Sequence, residues 1–332
     1  MSLVTPKDLG GVQLRAGDSL YEALTLMHHF CTSTCYSLAQ RKDLQHVWQV
    51  VVPGEAREHP FILHGVLAMA ALHKAYLSPP DQRAPYIDMS AFHQFLGLEG
   101  FTACLSDVNK DNWRPVYCFS SMVILYVCCL PLRSSSTPPT PISAFLELMS
   151  SVRGIHPITK PFLPRILETT LSPMIHGMWL NPDDEHHLPS LKGTLIPHDV
   201  FDALQKLQDF LESRPGLHDK DAHRCAVKEL CTLSKLLAQA GVQVESSMVF
   251  YWLYAIPDSI VIHLRTLQPG ALLLLSYYCV FLALVDRQFW YLSGCARRLL
   301  DEIRLHLADF DDYQYFLQWP RKHIHQDSWG RE

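Results

Sequence analysis

The sequence predicts an all-α protein, a single large helical bundle-like domain, from three observations. Apolar residues recur at three- and four-residue steps through most of the chain. No segment sustains the apolar–polar alternation with turn dipeptides that half-buried strands need. The one β-like run, Val47–Val52, is too short to seed a sheet. Finally, 48% of the 332 residues are apolar and 18% charged, enough to fill thick helical layers or to wall a cavity.

The elements follow in order. Asp18 is placed to cap a first helix carrying Leu20, Ala23, Leu24, Met27, Phe30 and Cys31 at helical steps. A second helix starts at Pro60, where the missing N–H costs nothing, and stops at Ser78-Pro79-Pro80. Met89–Leu105 and Trp113–Leu130 read as the third and fourth. Pro131–Pro141 is a proline- and serine-rich loop, the strongest break in the chain. A helix over Ile142–Val152 follows, and prolines 157, 161 and 164 forbid its long continuation. After a polar loop at Asn181–Pro197, helices are expected near Asp199–Ser213, Asp219–Ala240, Ser246–Leu267, Gly270–Leu292 and Cys295–Leu307. The resulting division is an N-terminal segment at 1–17, one helical domain at 18–310 with its internal Pro/Ser-rich loop, and a C-terminal tail at 311–332.

A net charge of −5 supplies no global positive field for nucleic acid or an anionic membrane. The ten cysteines are scattered through apolar runs, the pattern of reduced thiols inside a cell, in nucleus or cytoplasm, rather than of a disulfide framework. The N-terminal residues have no apolar stretch of the secretory type. Two apolar runs, Val116–Leu130 and Ala271–Val285, are each 15 residues, short of the roughly 20 that cross a bilayer, and read as core helices rather than spans.

Eighteen histidines invite a metal. His59, His64 and His73 share a helix but not a face, and His28 and His29 are adjacent, so capping and core hydrogen bonds explain them. The run Asp183-Asp184-Glu185-His186-His187 is the densest polar cluster and reads as a solvated loop. No metal and no cofactor are expected. There is no Gly-x-Ser-x-Gly elbow, phosphate-cradling loop or dinucleotide fingerprint, so no catalytic residue is assigned.

Residues 26–76 carry a family resemblance. They include Leu26-Met27-His28-His29-Phe30-Cys31-Thr32-Ser33-Thr34, Val47-Trp48, Val52-Pro53 and His59-Pro60-Phe61-Ile62-Leu63-His64, continuing to Ala70-Ala71-Leu72-His73. This resembles the start of the regulatory domain in fungal binuclear zinc-cluster transcription factors of the sterol uptake control type. Tyr86, Phe92-His93, and Trp290-Tyr291-Leu292 with Gly294 and Ala296-Arg297-Arg298-Leu299-Leu300 fit the same pattern, so the likeness runs with gaps from about residue 20 to 307. Two departures accompany it. The residues before the first matching helix contain no cysteine, so the zinc cluster that reads DNA in that family is not expected here. Cys295 stands where the family often has tryptophan.

The resemblance implies an apolar, lipid-type ligand. The densest aromatic stretch, Met248–Asp258, supplies Tyr251, Trp252 and Tyr254, which with Tyr277, Tyr278 and Trp290 either line a pocket or fill the core. Asp258 is the carboxylate nearest that stretch and either enters the pocket or caps the next helix. The expected function is a transcription-factor-like regulatory protein binding a sterol or other apolar metabolite in a helical cavity, without its own DNA-binding domain. Its expected partner is thus an apolar small molecule, with no direct nucleic acid contact; a homodimer is compatible. The alternative is a cofactor-independent enzyme, a cyclase, pericyclase or isomerase, of fungal secondary metabolism on the same fold. A closed pocket with a paired acid and base would favour the enzyme.

Overall fold

The computed structural model describes residues 16–133, 139–176 and 188–325, and within them every regular element is helical, with no strand. The Asp183–His187 cluster and residues 134–138 of the Pro/Ser-rich loop lie outside those residues. Helix α1 is Ala16–His29, so Asp18 lies inside its first turn and not at the cap. Two π-type turns, Phe30–Thr34 and Val47–Val51, follow with short helices between and after them. The β-like run is therefore helical. Val47, Trp48 and Val52 are buried, and with no sheet to join, the backbone satisfies its own hydrogen bonds.

Helix α2 is Pro60–Leu77, ended as expected where Ser78 precedes two prolines. It packs against α1, against α3 (Ala84–Leu105) and against α4 (Trp113–Cys128). The close approach of α2 and α3 depends on Gly97. A Cβ there would lie 2.7 Å from Phe119 and 3.3 Å from the Phe61 carbonyl oxygen. Phe119 is fully buried and has no room to yield, so Gly97→Ala should cost about 1–3 kcal/mol. Urea denaturation checks this; a neutral result would mean that the helices separate freely.

Helix α5 is Pro141–Thr159, longer than the expected Ile142–Val152. Pro157 sits in its last turn, where a proline forfeits one hydrogen bond without interrupting a long ladder. The breaks come instead at Pro161 and Pro164, where the chain divides into short pieces. Helices α6 (Val200–Ser213) and α7 (Lys220–Ala240) pair with each other. The Asp219 carboxylate caps α7 by accepting from the Ala222 amide at 3.2 Å.

The expected Ser246–Leu267 helix is three pieces: Ser246–Val249, Tyr251–Ala255 and α8 (Asp258–Arg265). The chain turns by 95° before α8. Ile256 precedes Pro257 and is forced extended, which ends one helix and starts the next. Helix α9 (Pro269–Asp286) is the centre of the molecule, buried on nearly every side by α7, α10 (Cys295–His306) and α11 (Gln318–His325). The expected helix to Leu292 ends at Asp286, whose carboxylate accepts from the Gly294 and Ala296 amides at 2.5 and 3.0 Å and so starts α10. Residues 311–325, part of the expected tail, are helical and bury Tyr313, Leu317 and Ile324.

Among the described residues two helices, α2 and α9, are long and apolar enough to cross a membrane by length and composition, each with 18 residues. The bent pair ending in α8 would make a third. Length alone therefore does not set α9 apart from a span, although the Ala271–Val285 run within it is only 15 residues. Helix α4, with most of the Val116–Leu130 run, is too short at 16 residues. However, 67% of α2 and 78% of α9 are buried inside the protein, and packing accounts for their apolarity.

Candidate ligand-binding cavity

A cavity of about 150 Å³ lies among α4, α5, the segment 38–48 and the helical turns after α7. Cavities of about this size hold a single aromatic ring. Helix α4 contributes Tyr117, Ser121, Ile124 and Leu125, and one turn-spaced face of α5 contributes Val152, Ile155, His156 and Thr159. Leu38, Leu44 and Trp48 close one side, and Glu245, Ser246, Ser247, Phe250 and Tyr254 the other. The walls are mainly apolar and aromatic, with polar groups at few points, which is the character of small-molecule sites.

Glu245 is the exceptional group. It is 2% exposed, yet carries a carboxylate. The amides of Gln40 and Arg41 both donate to its Oε1, at 2.9 and 2.7 Å. Burial pushes its carboxyl up to about 7, against the opposing pull of those amides and of Arg41, while Asp43 adds to the rise. No hydrogen bond among the described residues reaches Oε2. Beside it the Ser246 and Tyr291 hydroxyls are 2.8 Å apart, and Tyr291 donates to the Leu38 carbonyl at 3.3 Å, leaving Ser246 as donor to Tyr291. Across the cavity, His156 stacks on Tyr254 with ring centres 4.4 Å apart. Burial, then Lys160 and Arg153, hold His156 below the usual histidine range, so the ring is neutral near pH 7. The Tyr254 phenol is pushed up by burial and by the Glu229 charge.

The structure separates the residues expected to form the site. Tyr254 lines the cavity. Tyr251 turns aside, its hydroxyl donating to Glu229 at 2.6 Å. Trp252 and Tyr278 stack on each other at 4.8 Å in the core, where Trp252 donates to the Ala226 carbonyl at 3.0 Å and Tyr278 to that of Val249 at 3.2 Å. Tyr277 stacks on Trp319 beside a different cleft, with Asp199, Lys206 and Lys322. Trp290 stacks on His73 and donates to Ser37 at 3.0 Å. The Asp258 carboxylate is exposed and pairs with Arg153, which also donates to the Leu253 and Ile256 carbonyls at 3.0 and 2.9 Å.

Sequence reasoning passed over Glu245, Trp48, Tyr117 and His156. One signal was available: Glu245 is the only charged residue between Ala240 and Asp258, in an otherwise apolar stretch. Two of the histidines on α2 find side-chain partners, His73 with Thr34 and His64 with His93, each at 3.0 Å. Among the described residues no group of three or more histidine, cysteine or acidic side chains could hold a metal.

Comparison with known proteins gives a partial match. The chain is 29% identical over 103 residues to the Zn(2)-C6 fungal-type transcription factor afumD of Aspergillus fumigatus (strain CBS 144.89 / FGSC A1163 / CEA10). The similarity is to a fungal transcription factor. It covers 30% of this chain and 27% of the relative's length. No family model matches the chain.

Proposed function

We propose that the chain is a transcription-factor-like regulatory protein of the nucleus or cytoplasm, related to the sterol uptake control type. Its helical domain, 18–310, senses a sterol or other apolar metabolite that places one ring system in the cavity. The observation that carries this reading is the cavity itself, a mainly apolar space holding one buried carboxylate with an oxygen to spare. Regulation would follow from differential affinity for two packings. Segment 37–41 is the element to move, since Glu245, Trp290 and Tyr291 all tie it to the second half of the chain. DNA reading is not assigned to these residues, which contain no metal-binding cysteine group among those described.

The test is mass spectrometry of small molecules extracted from the protein after expression in a fungal host, beside Ile155→Trp, which fills the cavity from α5. The wild type should release a compound unchanged, and the variant about ten-fold less at a similar unfolding temperature. Identical profiles from both proteins would remove the cavity as the site.

One observation favours the enzyme as a second reading. A carboxyl titrating at about 7 in one cavity with the Tyr254 phenol is poised for proton transfer at neutral pH. Recovery of a product that forms only with Glu245 intact would make this an isomerase- or cyclase-type enzyme, with the transcription-factor likeness as ancestry.

A further inference from the structure

Among the described residues, the one charge the cavity offers its occupant is the negative charge of ionised Glu245. Glu245 is the only acid among the described residues that line the space, and none of those is a lysine or arginine. His156 is neutral near pH 7. Arg41, the cation nearest in sequence to the bound amides, has its guanidinium engaged by Asp43 and by the Pro173 carbonyl at 3.5 Å. The carboxylate therefore has two amide donors on Oε1 and, among the described residues, no ion pair, Arg41 acting on it only from a distance, whereas buried charges are ordinarily retained only when paired. Four aromatic side chains, Trp48, Tyr117, Phe250 and Tyr254, line the same space. A carboxylate within aromatic walls is the chemistry that recognises an organic ammonium ion, by charge at one end and by ring faces around it. An anionic ligand would meet a like charge with no lysine or arginine among the described lining residues to compensate it.

We propose that the ligand is a compact ring-bearing compound carrying one protonated amine, seated on Glu245 Oε2 with its apolar body against the aromatic walls. This rests on the cavity being the ligand site, and it narrows the largely apolar metabolite proposed there to an amine-bearing one, leaving out sterols. An amine would hold Glu245 ionised and so tighten its grip on the Gln40 and Arg41 amides, which is how occupancy would be felt at segment 37–41.

The test is isothermal titration at pH 8 with three probes sharing one single-ring body: benzylamine, benzyl alcohol and benzoate. The wild type should bind the amine about ten-fold more tightly than the alcohol and the acid most weakly. Glu245→Gln keeps an oxygen for the two amides but loses the charge, and should bring amine and alcohol within about three-fold of each other. Ile155→Trp should weaken both. If the wild type binds the alcohol as tightly as the amine, and Ile155→Trp weakens both, the amine is overturned while the cavity stands. If no probe binds, or binding ignores Ile155→Trp, the cavity reading falls as well.

Discussion

Truncating Trp252 to alanine should lower the unfolding free energy by about 3–5 kcal/mol. The side chain is fully buried, stacked within 4.8 Å of an equally buried Tyr278, and its indole N–H satisfies the Ala226 carbonyl in α7. Its removal leaves a large void in a close-packed interior and takes the indole donor from a buried helical carbonyl. Tyr254→Ala, two residues on, should cost less stability, because the ring is only half-buried and already borders a space. That variant should instead lose extracted ligand. Urea midpoints with far-ultraviolet circular dichroism measure the first effect, and mass spectrometry the second. A Trp252→Ala protein within about 1 kcal/mol of wild type would show that the indole is not the keystone its burial implies.

The contrast between these neighbours shows what could be read from the sequence. Helical period and proline placement located α2 closely, because Pro60 and Ser78-Pro79-Pro80 act locally. The same local chemistry, applied to Pro157, cut α5 too early, since a proline's cost depends on how many turns follow it. Pro257 was the reverse case, a visible signal whose 95° turn the apolar period concealed. Composition also pointed to the aromatic stretch Met248–Asp258, but which of its rings meets a void is decided by distant segments. Trp48, Ser121, His156 and Glu245 come from four parts of the chain, and the Gln40–Glu245 hydrogen bond closes a separation of 205 residues. No periodicity carries that information. Only the oddity of an acid in an apolar run marks Glu245 beforehand.

Glu245→Gln should stabilise the ligand-free protein above neutral pH, by up to about 3 kcal/mol at pH 8 and above, and do little below pH 4.5. Burial raises the folded-state carboxyl from its ordinary 4.5 to about 7, so the folded protein holds this proton more tightly than the unfolded chain. The stability it contributes is complete below 4.5 and is lost as pH rises through 7. Glutamine has no proton to lose. Buried histidines work in the opposite direction. His73 and His93 are lowered from 6.5 to about 4, so their contribution is present above 6.5 and is lost as pH falls through 4. Two histidines outweigh one glutamate, and the wild type alone should simply weaken in acid. The glutamate becomes visible in the difference between variant and wild type, where the histidine terms cancel because neither ring is altered. Denaturation midpoints from pH 4 to 9 should give a difference that opens between 4.5 and 7 and then stays level. A difference constant across that range would mean that the carboxyl titrates as an ordinary surface acid, and the buried charge on which the amine proposal depends would be gone.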